Sequence, residues 1–292
     1  MSKTILMTVA AAIVFGGVPA IATAQSPSRT GTPASTSQQV VTMYELVLRD
    51  GSRLYGNIER QDDLEIVFRT QGGTTVTVKR EDVLSLRQTT GTIAEGEFQP
   101  GDPNATRLFF GPTGRALRRG QTYLGTYEVV LPFVQVGITD RISIGGGTPL
   151  MFGGGESNRP FWITPKVQIL DRPSPQVAVG AIHGFAGLDD SAGIAYAVAT
   201  QGNIASSLTI GAGVAYSGGG GRAGVVMVGG ERQFRRNMKF ITENYIWKGG
   251  HGFGMFGVRF FGERLSADLG LAIPFGTSDF FGAPVVNFVY LF

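Results

Sequence analysis

The chain has 292 residues, a formal net charge of +3, 44 glycines, no cysteine and only 16% charged residues, whereas soluble domains average about 25% charged and about 7% glycine. The missing thiols exclude a disulfide scaffold, a cysteine-ligated zinc site and a cysteine nucleophile. The arginines are scattered along the chain, so the weak positive charge is no nucleic-acid footprint.

Residues 1–24 open with Lys3, continue through an apolar run from Ile5 to Ile21 and close on Ala22-Thr23-Ala24 before Gln25. These are the three parts of a cleaved export signal, and Gly16, Gly17 and Pro19 break the run against its use as an anchor. No other apolar run reaches the ~18 residues of a helical span. Residues 25–41, rich in Ser, Thr and Pro, predict a disordered linker.

Residues 42–88 are dense in charge and alternate with period two over Tyr44 to Leu48, Arg53 to Ile58, Leu64 to Arg69 and Thr74 to Val78. Asp50-Gly51, Gln61-Asp62-Asp63 and Gln71-Gly72-Gly73 are reversals, and Glu81 to Leu84 predicts a helical turn before a last strand at Ser85 to Arg87. The order of five short strands, with one motif at its start in which Leu48, Asp50, Gly51 and Ser52 are followed by Gly56 and Ile58, resembles the SH3-like or Sm-like small β-barrels. That resemblance implies a fold, with a peptide, cell-wall material or a neighbouring protein as partner. RNA is not expected, because acidic and basic residues balance. Tyr44, Tyr55 and Phe68 are expected in the core or on scattered surface, with a peptide groove as the alternative. Residues 89–105 predict a Gly/Pro-rich connector.

From residue 106 onward, strands of about ten residues are separated by turns, as in a membrane β-barrel. Twelve strands are expected, at 106–111, 122–138, 141–149, 161–171, 176–187, 192–200, 206–217, 223–233, 238–248, 252–263, 265–274 and 284–292, with ten as the alternative because Pro132 suggests a kink. Apolar sets such as Phe161, Ile163, Val167 and Ile169, or Leu265, Leu269, Leu271 and Ile273, predict an outer face. Likewise Ile194, Tyr196 and Val198 are expected outside, and Ala195, Ala197 and Ala199 inside. The inner face carries Gly, Ala, Ser and a few charges, so the sequence permits a narrow water-filled pore or a ligand cavity and leaves open whether the lumen is filled. Tight turns at 139–140, 172–175, 201–203, 235–237 and 263–264 predict the periplasmic end; connections at 153–160, 188–191, 218–222, 249–251 and 277–283 predict the outer end.

Val286, Phe288, Tyr290 and Phe292 alternate to the last residue. This resembles the final strand of bacterial outer-membrane β-barrel proteins, which the barrel assembly machinery reads. The resemblance implies an all-β fold, a transmembrane antiparallel barrel after a small SH3-like barrel, in contact with outer-membrane lipid and with its N-terminal module in the periplasm.

A charge facing lipid near the midplane costs about 2 to 4 kcal/mol for Arg or Lys. Lys166, Glu231, Glu243, Arg259 and Asp268, together with Glu128, are therefore expected inside, as an internal ion-pair network or, alternatively, a selectivity lining. His183 and His251 are the only histidines. A lipid-acting hydrolase would need Ser207 or Thr209 beside His183, and no motif joins them. The glycine run 219–224 matches G-x-G-x-x-G between strands, without the helix that holds phosphate. Neither a metal nor a cofactor is expected, and Asp189-Asp190 is read as a loop tip. The expected role is a passive small-solute channel or a structural barrel with a docking module. A lipid-modifying outer-membrane enzyme and a soluble, secreted ligand-binding barrel are the alternatives.

Overall fold

The computed structural model describes residues 39–94, 97–150, 160–186, 190–276 and 282–292. The expected signal segment and residues 25–38 of the linker lie outside the described residues, as do residues 153–159, 188–189 and 277–281 of three expected loops. The chain forms two compact units that divide at Gly101 and Asp102.

The N-terminal unit is a six-stranded antiparallel sheet made of β1 (Gln39–Leu48), β2 (Arg53–Gln61), β3 (Glu65–Thr70), β4 (Thr75–Lys79), β5 (Val83–Ala94) and β6 (Glu97–Pro100), in the order β4-β3-β2-β1-β5-β6. Gly51 and Gly73 supply the left-handed backbone of two reversals, at φ of 89° and 87°. At the third, the Asp62 carboxylate accepts the Leu64 and Glu65 N–H groups at 2.9 and 2.8 Å. A 3-10 turn at Arg80–Asp82 replaces the helical turn expected at 81–84. Leu46, Ile66, Phe68 and Val78 form the core, joined at its edge by Tyr44, while the Tyr55 ring lies tilted against Phe98 at 4.9 Å. The expected connector 89–105 needs correction: its first part continues β5 and turns into β6, with Ile93 opposite Phe98.

The second unit is a closed antiparallel barrel. Its strands are β7 (Thr122–Tyr127), β8 (Leu131–Gly137), β9 (Ile142–Gly147), β10 (Phe161–Ile163), β11 (Lys166–Leu170), β12 (Gln176–Ala186), β13 (Asp190–Gly202), β14 (Ser206–Ser217), β15 (Arg222–Arg235), β16 (Met238–Trp247), β17 (His251–Phe261), β18 (Leu265–Phe275) and β19 (Ala283–Leu291). β10 and β11 share one place between β9 and β12, so the thirteen segments fill twelve strand positions. Pro165 divides them because it has no N–H to give the ladder. Closure is made by β19 on β7, with Leu291 opposite Tyr123.

Two corrections compensate in the strand count. Residues 106–111 are not a strand of the wall, and 122–138 is not one strand but the hairpin β7–β8. The reversal falls at Glu128 and Val129, with φ of 49° and 64°, and Pro132 is paired regularly with Thr126. Glu128 is therefore a turn residue rather than a charge within a strand.

The wall alternates as period two demands. Leu124, Val134, Val136, Phe161, Ile169, Leu208, Ile210, Val214, Phe256, Leu269 and Phe288 are exposed on the outside. In β13 the expected faces are reversed: Val198 and Thr200 are buried inside, and Ala195, Ala197 and Ala199 are exposed. The Tyr196 ring lies across the bare backbone of Gly180 on β12, where a Cβ would meet its hydroxyl. The turns β8–β9, β11–β12, β13–β14, β15–β16 and β17–β18 lie at the barrel end shared by Thr122 and Phe292, which are joined backbone to backbone at 2.9 Å.

Candidate functional site

The lumen is filled by the chain itself. Residues 102–117, between the small sheet and β7, run into the barrel from the tight-turn end, reverse near residues 108–111 and return. The reversal is a narrow hairpin: the Leu108 N–H reaches the Gly111 carbonyl at 2.9 Å, and the Thr113 N–H reaches Thr106 at 3.0 Å. Arg107 and Pro112 form an isolated bridge. At the return, the Arg115 guanidinium donates to the Asn203 carbonyl in the β13–β14 turn at 2.8 Å, and Arg118 reaches Asp171 at 2.8 Å. The tip of this finger is apolar. Leu108 and Phe109 are fully buried among Ile241, Phe253, Met255 and Val285. Apolar residues 108–110 suit an inward tip as well as they suit a strand, which is why the period alone misplaced them.

Of the six charges expected inside the barrel, Glu128 lies in the β7–β8 turn; Lys166, Glu231, Glu243, Arg259 and Asp268 are buried, and each of them touches the finger or a residue that does. Arg259 is completely buried. Its guanidinium donates to both oxygens of Asp268 at 2.6 and 3.0 Å, to Asp102 at 2.9 Å, and to the carbonyls of Asn104, Arg107 and Leu108 at 2.9, 3.2 and 2.6 Å. Every donor of that rigid fork has an acceptor, as a buried guanidinium requires. Glu231 accepts from Ser207 at 2.9 Å and from Lys239 at 3.0 Å, and it pairs with Arg115. Lys239 also reaches Asp102 at 3.3 Å. Glu243 holds the tip: it accepts the N–H groups of Phe110 and Gly111 at 3.1 and 2.9 Å and the Tyr245 hydroxyl at 2.7 Å. Lys166 donates to the Thr106 carbonyl at 3.0 Å.

The residues that sequence reasoning passed over are those on the finger and one on the wall. Asp102 joins Arg259 to Lys239, and Arg115 binds Glu231, Gln176 and two carbonyls. Arg107 donates to Tyr127 and, at 2.7 Å, to Gln135, and it stacks over the Phe133 ring at 4.4 Å. Lys239 stands in phase with Ile241 and Glu243 on β16, and that phase was the available signal. The finger charges follow no period and carry no such mark.

The small inner residues permit an open pore, and this geometry fills the lumen instead. Those residues are small because the finger packs against them: Leu108 lies over Gly229 and the Phe109 ring over Gly270. The hydrolase alternative loses its geometry too. His183 is on the outer face, bonded at 2.9 Å to the Tyr216 hydroxyl and edge-on to Phe185, whereas Ser207 and Thr209 face inward onto Glu231 and Thr200. Among the described residues no three His, Asp or Glu side chains are placed to hold a metal.

No protein-family model matches the chain, and no curated protein matches it. Solved structures of similar form include the KdgM porin, at 5% identity and a TM-score of 0.44 over 58% of this chain and 96% of that one. A loop L8 deletion mutant of OmpT, an outer membrane protein of Vibrio cholerae, is 12% identical with a TM-score of 0.32, over 87% of this chain and 97% of its own. Salmonella typhi OmpF in complex with daunomycin is 10% identical with a TM-score of 0.33, over 87% and 96% of the two chains.

Proposed function

We propose that the protein is a channel-type outer-membrane barrel held shut by its own lumenal finger, with the small N-terminal sheet as a periplasmic docking module. The membrane reading rests on the wall. Its outward apolar residues form a continuous surface that water disfavours and hydrocarbon accepts, and closure leaves the sheet no open edge. The periplasmic reading rests on the short turns at the end where the finger enters. Strand order and the 3-10 turn before β5 support the SH3-like reading of the module, whose partner would be a periplasmic protein or the cell wall. Val286, Phe288, Tyr290 and Phe292 of the last strand would offer the barrel assembly machinery an apolar outward row.

The observation that carries the closed state is the clasp of buried charges on residues 102–117. Reconstituted in planar bilayers, the intact chain is expected to pass little current. Replacing residues 103–116 by a flexible Gly-Ser linker of equal length is expected to open it. Equal conductance of the two proteins would remove the gating role and leave a structural barrel.

A further inference from the structure

The lumenal charges are not all matched, and the mismatch is local. Arg115, Lys239 and Arg259 each have a carboxylate partner. Lys166 and Arg107 have none among the described residues, although they are only 3% and 4% exposed. Lys166 spends one of its three N–H groups, on the Thr106 carbonyl. Arg107 donates to two neutral oxygens, on Tyr127 and Gln135. Lys166 and Arg107, both positive, line the same small cavity. No acid stands free to answer them, since Asp102, Glu231 and Asp268 are taken by other cations and Glu243 by the finger tip. A buried cation without a counter-charge is costly.

The two cations line one cavity of about 50 Å³ between the finger and the β7 to β13 side of the wall. That is room for a few water molecules or one small ion. The Thr164 and Tyr196 hydroxyls, which hydrogen-bond to no described residue, line the same cavity, with Gln135 and Trp162 beside them. Two positive groups and spare hydroxyl donors around a space of this size are the chemistry of an anion pocket, not of a cation or sugar site.

We infer that this cavity binds one small monovalent anion, of halide to acetate size, as the counter-ion of Lys166 and Arg107, and so fixes the finger against the wall. The site requires the finger to be seated; it does not require that the barrel ever conducts.

The test uses the full chain in detergent at constant sodium concentration, with bromide, formate or acetate as probe and gluconate as an anion too large to enter. The thermal midpoint of the folded, fast-migrating gel band is expected to rise saturably with each probe relative to gluconate. Lys166→Met is expected to lose the saturable rise and, in gluconate, to melt no lower than the unaltered protein. Lys166→Arg is expected to keep the rise. An equal response of the unaltered protein and Lys166→Met, or no difference between probes and gluconate, would overturn the site. Should the variants fail to assemble, bromide soaked into crystals of the unaltered protein decides: an anomalous peak beside Lys166 Nζ supports the site, and its absence there rejects it.

Discussion

Arg259 and Asp268 stand directly opposite one another on β17 and β18, and the guanidinium grips the carboxylate with two hydrogen bonds, of 2.6 and 3.0 Å. A third arm of the same guanidinium holds Asp102 at 2.9 Å. One side chain thus ties two strands of the wall together and ties both to the base of the finger.

Removing Arg259 leaves the buried Asp268 carboxylate without a cation and Asp102 with Lys239 alone. Breaking a buried pair in this way costs about 3 to 5 kcal/mol. Arg259→Met is therefore expected to lower the thermal midpoint of the folded gel band strongly. If the barrel still inserts, it should also raise conductance in bilayers. A variant as stable as the unaltered protein and equally closed would mean that the Arg259 contacts do not hold the finger.

Glu231 and Lys239 test whether the clasp is a network. Glu231 binds both Lys239 and Arg115, and Lys239 binds both Glu231 and Asp102. Residues that share partners couple by about 0.5 to 3 kcal/mol. The double variant Glu231→Gln with Lys239→Met is expected to lose clearly less stability than the two single losses added. Denaturant unfolding of all four proteins in one detergent supplies the cycle, and strict additivity would show the two contacts to be independent.

Much of this architecture could be read from the chain, and the failures have physical causes. Leu208, Ile210 and Val214 alternate against Ser207, Thr209 and Gly211, so faces and tight turns were legible. Lys166, Glu231, Glu243, Arg259 and Asp268 were legible as inward because lipid would exclude them. What they bind was not, because residues 102–117 make their contacts across sequence separations such as that between Asp102 and Arg259, which no local pattern encodes. β13 misled for a related reason. Alanine is as acceptable to lipid as to a lumen, and only the bulk of Tyr196 over Gly180 decides which side faces in. The β7–β8 turn was hidden because Glu128-Val129-Val130 lacks the Gly, Asn or Asp that a left-handed reversal normally uses.

Gly114 is the tightest point of the finger's return path. A Cβ there would run into the Gln176 carbonyl of β12, and its own N–H donates to Thr200 at 2.8 Å. The obstacle is backbone, which cannot swing aside. Overpacking of this kind costs about 1 to 3 kcal/mol. Gly114→Ala is expected to unseat the returning segment while sparing the wall, which would be read as faster protease cleavage of the segment at an unchanged barrel gel shift. Unchanged protection would place the segment elsewhere.

In the N-terminal sheet, the two backbone N–H donors at Glu65 and Leu64 hold the Asp62 carboxyl below its ordinary value. A lowered folded value means that this turn contributes stability above the unfolded value, near pH 4, and loses it as pH falls through the lowered one. The acid limb of the sheet's unfolding is therefore expected to be shallower in Asp62→Ala, with little change in pH dependence above about pH 6. Hydrogen exchange of residues 53–79 in the full chain across pH 2 to 7 would measure it, and identical acid limbs would rule the contribution out.

Val129 is the residue worst suited to its own backbone, being β-branched at a φ of 64° in the β7–β8 turn, with an exposed side chain that no core contact repays. The left-handed conformation costs an ordinary residue about 1 to 2 kcal/mol, and glycine almost nothing. Part of that gain is offset by the greater freedom of glycine in the unfolded chain. Val129→Gly is accordingly expected to raise stability modestly, by about 0.5 to 1 kcal/mol. The neighbouring Glu128, at a φ of 49°, is half-buried in the same turn and would respond less cleanly. Thermal melting of the folded band in detergent is the measurement. A fall in midpoint would show that the freedom glycine adds to the unfolded chain outweighs the relief of backbone strain.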